Sequence, residues 1–366
     1  MKAMLVLANG MVFEGKNFGA QGTRVGEVVF NTGMVGYEET LTDPSYYGQI
    51  ITAAYPLVGN YGVNGEDAES SRIWAFGYIV REACETPSNF RCKKTLDAFL
   101  KEQNIIGLEG IDTRRLVRVL REAGVMNGAL TTEYETAEAA LADEKLMESI
   151  RSYAVTEAVK SVTTGEPEVF NEDGSYRVAL FDFGCKRNIV RCLVKRGCRV
   201  AVVPAETTAD QLKDMDLDGI MLSNGPGDPA ENVQIIENLR DIAKMGLPIF
   251  GICLGHQLMA LAQGAKTEKL KYGHRGVNQP VTDLAHGRTY ITSQNHGYAV
   301  VGDSVDASVA EISAVNANDN TVEGLRYKNF DCFTVQFHPE ACGGPRDTEY
   351  LFDEFIAMMA KRKGEA

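Results

Sequence analysis

The sequence predicts a two-domain α/β protein, in which a mixed N-terminal α/β domain precedes a domain built on a doubly wound, mainly parallel sheet. Its 366 residues correspond to two or three domains at roughly 150 residues per domain. Apolar residues make up 44% and charged residues 24% of the chain, as in ordinary globular proteins. From Tyr176 onward, β-rich runs alternate with helical runs, which is typical of parallel sheets covered by helices.

The N-terminal part lacks that alternation. Its β-rich runs are short and separated by turns rich in Gly, Asn, Asp and Pro, and they lie at 4–7, 28–30 and 73–80. Helical spacing predicts three helices, over 95–103, 113–123 and 137–149. A polar, turn-rich stretch follows. We therefore assign residues 1–150 to the first domain, 151–176 to a linker and 177–366 to the second domain.

The C-terminal part predicts strands and helices in alternation. The predicted strands are 178–183, 199–203, 219–222 and 249–252, and the predicted helices are 186–196, 231–244 and 255–262. Ligand sites of such sheets lie beyond the carboxyl ends of the strands. All five histidines (256, 274, 286, 296 and 338) fall in this part, so we expect the chemistry of the chain there.

Charge and cysteine usage exclude several classes of function. The net charge of −13 repels nucleic acids and anionic membranes, and no basic run is long enough to overcome it. The N-terminal apolar stretch is too short for a signal peptide. The eight cysteines form no CxxC pair, so we expect reduced thiols, a cytoplasmic protein and no bound metal.

Cys253 is the candidate nucleophile. It is the only cysteine with glycine at both −2 and +2, in Gly251-Ile-Cys-Leu-Gly255, and it lies where a predicted strand ends and a helix begins. This pattern matches a nucleophile elbow with a thiol in place of the hydroxyl. The helix N-terminus behind the turn stabilises a thiolate. For the other seven cysteines, a structural thiol is the better interpretation.

His338 is the candidate base because it alone among the histidines has a carboxylate two residues away, in His338-Pro-Glu340. Residues i and i+2 of an extended segment point to the same side, and Pro339 favours an extended His338. Glu340 can then bind one imidazole nitrogen while the other faces the thiol. Two polar loops, 223–229 and 293–298, are predicted at the same strand ends; taken alone, each is an unremarkable loop.

Four motifs, SNGPGDP, GICLGHQ, QNHG and FHPE, follow one another between residues 177 and 362. Through these motifs and their order, the second half of the chain resembles the triad, or class I, glutamine amidotransferases. The first half resembles the amino-terminal domain of the carbamoyl phosphate synthetase small chain, through residues 29–49, 54–60 and 110–115. The resemblance implies that glutamine hydrolysis supplies ammonia to a separate large subunit. That subunit would make carbamoyl phosphate from bicarbonate and two ATP for arginine and pyrimidine synthesis.

The resemblance also implies the site residues. The triad would be Cys253, His338 and Glu340. The glutamine-binding residues would be Ser45, Gly225, Gly227, Leu254, Gln257, Asn295, Gly297 and Tyr298. On this interpretation Ser45 reaches the substrate from the first domain, His296 lies behind the reacting groups, and ATP and Mg²⁺ are used by the partner, with no cofactor in this chain.

Alternatives remain at this stage. The chain could be the amidotransferase subunit of another synthase, although residues 29–60 speak against it. It could be a free-standing cysteine hydrolase of γ-glutamyl compounds, which would need no partner. A non-catalytic module of the same fold would not need the intact triad. Copurification with a protein about three times its size that carries ATP-binding domains would separate these hypotheses.

Overall fold

The computed structural model describes residues 1–341 and 343–365, so Cys342 and Ala366 lie outside the described residues. The chain divides into two compact units, Met1–Thr156 and Glu157–Ala366. Both units mix strands and helices. The predicted two-domain α/β class is therefore confirmed.

The first unit is built around a closed barrel of seven strands. The strands of the whole unit, including two outside the barrel, are β1 Lys2–Leu7, β2 Val12–Gly19, β3 Thr23–Asn31, β4 Gln49–Ala53, β5 Leu57–Val58, β6 Gly77–Ile79, β7 Glu82–Ala83, β8 Ile106–Glu109 and β9 Met126–Thr131. Its helices are α1 Tyr37–Thr42, α2 Leu96–Glu102, α3 Thr113–Ala123, α4 Ala137–Ala142 and α5 Glu144–Ser152. The barrel order is β1-β2-β8-β6-β4-β3-β9, and β5 pairs with β7 alone.

Side-chain caps set the helix limits of this unit. The Asp112 side chain accepts from the Arg115 amide at the start of α3, and Gly124 ends that helix at φ 96°. The segment 137–149, predicted as one helix, forms two. Asp143 separates them because its side chain accepts from the Lys145 and Leu146 amides and thereby caps α5.

The second unit contains one ten-stranded sheet. Its strands are β10 Glu168–Phe170, β11 Tyr176–Asp182, β12 Cys198–Pro204, β13 Gly219–Leu222, β14 Ile249–Ile252, β15 Thr267–Asp283, β16 Arg288–Val300, β17 Ala310–Asn316, β18 Val322–Tyr327 and β19 Cys332–Val335. Its helices are α6 Ala158–Val162, α7 Arg187–Lys195, α8 Ala209–Leu212, α9 Val233–Ile242, α10 Leu254–Ala262 and α11 Tyr350–Lys363. The sheet order is β10-β12-β11-β13-β14-β19-β18-β17-β15-β16.

Helices cover both faces of the parallel core of this sheet. Strands β12, β11, β13, β14 and β19 pair in parallel, and the strands at both flanks pair antiparallel. Along β11, Val178 and Leu180 join one buried cluster with α7 and α11, whereas Ala179 and Phe181 join the opposite cluster with α9 and α10. This alternation is the period of a strand that is buried on both faces. Antiparallel pairing makes up a larger part of this sheet than the sequence predicted, since the sheet was expected to be mainly parallel.

The predicted linker, 151–176, is largely part of the second unit. Residues 158–162 form α6, and β10 pairs antiparallel with β12. The Thr164 amide donates to Asp182 Oδ2 at 2.7 Å, and the Thr163 hydroxyl accepts from the Ala205 amide at 3.0 Å. The linker prediction is wrong for this stretch because backbone pairing, which a polar composition does not reveal, holds it against the sheet.

None of the helices within residues 1–341 and 343–365 is long and apolar enough to cross a membrane.

Candidate active site

Cys253 lies on a strained turn between β14 and α10. Its backbone adopts φ 52° and ψ −102°, a region that residues with a Cβ rarely occupy. The Cys253 amide donates to the Val335 carbonyl of the neighbouring strand at 2.8 Å, which fixes the turn on the sheet. The predicted elbow is thus the observed geometry.

The two flanking glycines are required by close packing. A Cβ on Gly255 would lie 2.6 Å from the Leu222 carbonyl oxygen, and one on Gly251 would lie 2.8 Å from the Thr334 methyl. Neither glycine has a positive φ, so the requirement is one of space. Strands β13 and β19 thus pack closely against the two glycines that flank Cys253.

The Cys253 residue is 2% exposed. Its Sγ donates to the Asn295 carbonyl on β16 at 3.7 Å, and the nine-residue helix α10 begins at the next residue. The partial positive charge at a helix N-terminus favours a negative charge on that sulfur.

His338 and Glu340 form a buried pair at the same edge of the sheet. His338 Nδ1 lies 2.7 Å from Glu340 Oε1, and the two residues are 3% and 2% exposed. The pair forms through a turn, in which the Ala341 amide donates to the His338 carbonyl at 3.3 Å, and the extended segment that the sequence suggested is not observed. Ile252 pairs with Val335 in parallel, so Cys253 and His338 follow adjacent strand ends.

The tautomer of His338 follows from this contact. A carboxylate accepts, so Nδ1 carries the proton and Nε2 carries the lone pair. Within the part of the chain that the structure describes, Nε2 is buried and finds no hydrogen-bond partner. It is therefore the nitrogen that can take up a proton.

Lys186 completes this group, and sequence reasoning missed it. Its Nζ lies 3.1 Å from both Glu340 Oε1 and His338 Nδ1, and the residue is 8% exposed. Burial alone would raise the pKa of Glu340, but the charge of Lys186 and the hydrogen bond from His338 outweigh it and lower that pKa to about 2. Lys186 immediately precedes α7 at the carboxyl end of β11, a position that could have marked it as a site residue.

The loop after β13 packs against the start of α7. The Ser223 hydroxyl accepts from the Phe183 amide at 3.0 Å, and Asn224 bonds the Lys186 amide and the Gly184 carbonyl. A Cβ on Gly225 would lie 2.2 Å from the Phe183 carbonyl oxygen, and Gly227 has φ 88°. Gly225 and Gly227 are thus required by packing and by backbone conformation, respectively.

The remaining predicted residues of this unit lie on α10 and β16. Gln257 is 3% exposed, and its Nε2 donates to the Tyr298 carbonyl at 2.7 Å and to Gln336 Oε1 at 2.8 Å. Both amide hydrogens are thus used, and Oε1 is the atom that can accept from a ligand. Leu254 is the first residue of α10, and Asn295, Gly297 and Tyr298 lie on β16.

Ser45 lies in the first unit, in the short 3₁₀ turn Pro44–Tyr46. It is 7% exposed, and its amide donates to Asp43 Oδ1 at 2.9 Å. The sequence alone suggested a turn at this position, and the turn is present.

The strain at Cys253 yields a stability prediction. Glycine occupies positive φ without penalty, so Cys253→Gly should unfold at a higher urea concentration than Cys253→Ala, with a difference of about 1 kcal/mol. The control pair is Cys192→Gly and Cys192→Ala, within helix α7. There the order should reverse, because glycine is about 1 kcal/mol worse than alanine inside a helix. The same order at both positions would contradict the strain.

Two family models match the chain. The carbamoyl-phosphate synthase small chain, CPSase domain, matches residues 5–130, and the class-I glutamine amidotransferase matches residues 179–358. The carbamoyl phosphate synthase small chain of Clostridium perfringens is 49% identical over 97% of this chain and 99% of its own length. That of Syntrophotalea carbinolica is 50% identical over 99% of both chains, and that of Bacillus anthracis is 51% identical over 100% of this chain and 98% of its own. The chain therefore belongs to the carbamoyl-phosphate synthase small chain family and carries a class-I glutamine amidotransferase domain.

Proposed function

We propose that the chain is the glutaminase subunit of a carbamoyl phosphate synthase. It hydrolyses glutamine through a Cys253–His338–Glu340 triad and passes ammonia to a large subunit. The observation that carries this proposal is the placement of the strained Cys253 turn beside the buried His338–Glu340 pair, whose Nε2 has no partner among residues 1–341 and 343–365. Family membership supports the overall reaction.

The first half of the reaction forms a thioester. His338 Nε2 takes the proton from Cys253, and the thiolate attacks the side-chain amide carbon of glutamine. The oxyanion accepts from backbone amides, which we assign to Leu254 and Gly225; one such donor lowers the barrier by about 3 kcal/mol. The proton on Nε2 passes to the departing nitrogen, the C–N bond breaks, and ammonia leaves a γ-glutamyl thioester on Cys253.

The second half returns the enzyme to its starting state. His338 Nε2 takes a proton from water while the water oxygen attacks the thioester carbon. The C–S bond breaks, the sulfur regains the proton, and glutamate leaves. Glu340 fixes the tautomer and balances the charge of the imidazolium in both halves. Lys186 keeps Glu340 ionised, which makes Lys186 a positioning residue.

Glutamine recognition is proposed for the residues that the family resemblance implies: Ser45, Gly225, Gly227, Leu254, Gln257, Asn295, Gly297 and Tyr298. Within the second unit, the orientation of Gln257 supports this proposal, because its donors are occupied and its oxygen can accept from a substrate ammonium or amide.

The large subunit is the proposed partner, in a heterodimer or a higher oligomer. It uses ATP and Mg²⁺ to combine bicarbonate with ammonia, and the product serves arginine and pyrimidine biosynthesis in the cytoplasm. The free-standing hydrolase is the weaker hypothesis, since the first half of the chain matches a domain of the synthase small chain.

Replacement of the nucleophile tests the proposal directly. Cys253→Ala should abolish glutamine-dependent carbamoyl phosphate synthesis by the reconstituted complex, because no thioester can form, and should leave ammonia-dependent synthesis within about twofold of wild type. Cys84→Ala, at a half-buried thiol of the first unit, is the matched control and should keep both activities. Retained glutaminase activity in Cys253→Ala would show that another group is the nucleophile.

The Lys186 charge predicts a change in pH dependence. Because the charge of Lys186 lowers the pKa of Glu340, the pKa of Glu340 should be higher in Lys186→Met than in wild type. On acidification, Glu340 of the variant would therefore take up a proton at a pH at which Glu340 of the wild type is still ionised. The acid limb of the pH profile of kcat/KM for glutamine should then move to higher pH in the variant. Lys195→Met, at an exposed lysine paired with Glu349 at 3.1 Å, should leave the limb in place. An unmoved limb in Lys186→Met would exclude this role.

A further inference from the structure

A second buried group of titratable side chains lies in the antiparallel part of the sheet. His274 on β15, His296 on β16 and Glu323 on β18 each bring one potential ligand atom within 4.8 Å of the others. They are 8%, 5% and 0% exposed. His274 and His296 are register partners across the β15–β16 pair. The glutaminase mechanism uses none of the three.

Hydrogen bonds fix the orientation of both imidazoles. His296 Nδ1 lies 2.8 Å from the Tyr298 carbonyl, which can only accept, so Nδ1 carries the proton and Nε2 offers a lone pair. His274 Nε2 lies 2.8 Å from Asp319 Oδ2, while its Nδ1 is buried without a hydrogen-bond partner among the described residues. Metal-binding histidines are held in this way, with the second nitrogen donating to a carbonyl or a carboxylate.

A neighbouring amide adds a fourth lone pair. The Thr292 hydroxyl donates its one proton to the Gln279 carbonyl at 2.9 Å, so its oxygen accepts from Gln294 Nε2 at 3.2 Å. This fixes the amide, and Gln294 Oε1 then faces His296 Nε2 at 3.0 Å. His296 Nε2 and Gln294 Oε1 are then two acceptor atoms in contact, and such a contact is stable only with a proton or a cation next to both atoms.

The Glu323 carboxylate supplies negative charge at the same place. Its Oε1 accepts from Asn316 Nδ2 at 3.2 Å, and its buried Oε2 has no hydrogen-bond partner within 1–341 and 343–365. Oε1 lies 3.7 Å from His274 Nδ1, close to the separation of about 3.4 Å between two ligands of a tetrahedral ion with bonds of about 2.1 Å.

A metal ion would account for all of these atoms together. One proton on His296 Nε2 would satisfy the contact with Gln294, and one on His274 Nδ1 would face Glu323 Oε1 at 3.7 Å. Glu323 Oε2 would still have no hydrogen-bond partner among the described residues. Two imidazoles, one carboxylate and an amide oxygen suit Zn²⁺ and related ions better than Mg²⁺ or Ca²⁺.

We propose that His274, His296 and Glu323, with Gln294 Oε1 as a fourth ligand, form a binding site for one divalent transition-metal ion such as Zn²⁺. The site departs from the sequence-based expectation that the chain binds no metal. The ion would tie β15, β16 and β18 together in the half of the sheet that the parallel core does not stabilise. Metal binding does not depend on the proposed glutaminase activity, so the test measures metal affinity and melting temperature and not turnover of glutamine.

The test is a Zn²⁺ titration of the full chain in competition with a chromophoric chelator. The chain is first stripped with a stronger chelator, and its thiols are alkylated so that cysteines cannot bind the ion. Wild type should bind one equivalent tightly, and its melting temperature should rise with Zn²⁺. His274→Gln and Glu323→Gln should bind at least tenfold more weakly, and their melting temperatures should not respond.

Two further variants keep the test decisive. Asp319→Asn changes a carboxylate whose side chain is 47% exposed, so the fold should tolerate it, and it should weaken binding by about tenfold or more through the His274 ring. His286→Gln removes an exposed histidine 2.9 Å from Asp283 and should bind like wild type. The proposal is overturned if wild type binds no tight equivalent, or if His274→Gln and Asp319→Asn both retain wild-type affinity.

Discussion

The backbone of Cys253 is held at φ 52° and ψ −102°, and the candidate active site depends on this constraint. The strain of such a conformation costs on the order of 1–3 kcal/mol. It persists because β19 binds the Cys253 amide and because the chain packs too closely at Gly251 and Gly255 to relax. The thiol is thereby fixed between the end of β14 and the start of α10. In the proposed mechanism, the general base and the backbone donors act on a sulfur whose position this turn determines.

The second constraint is the burial of charge around His338. A carboxylate as buried as Glu340 is stable only when its partners are complete, and Lys186 and His338 both contact the same oxygen. The network orients the imidazole as a consequence of its own stability, since Nδ1 must donate and Nε2 is left with the lone pair. The contacts that stabilise the buried charge of Glu340 are therefore the same contacts that orient His338, and both involve Lys186, His338 and Glu340. The Lys186 charge also explains why Glu340 can stay ionised in an apolar environment.

Much of the second unit could be predicted because short stretches of its sequence determine its elements. The predicted strands 219–222 and 249–252 have the same bounds as β13 and β14, and the glycines around Cys253 indicate the turn that the structure contains. The barrel of the first unit could not be predicted, since its closure depends on strands as distant as β1 and β9. The two helices in 137–149 depended on a single cap, Asp143. Lys186 and the His274–His296–Glu323 group were missed because neighbouring strands, and not sequence spacing, bring their side chains together.

The central claim is that Cys253 forms a covalent bond to the γ-carbonyl of glutamine and that His338 is needed to resolve it. The most direct measurement is mass spectrometry of the His338→Asn chain, rapidly quenched in acid after incubation with glutamine and then digested. The account predicts that the peptide containing Cys253 gains the mass of glutamine minus ammonia. It also predicts that this adduct accumulates more in His338→Asn than in wild type, because the start of α10 still favours the attacking thiolate, whereas the water of the second half loses its base. An adduct on any other residue, or none in either chain while glutamate is still produced, would contradict it.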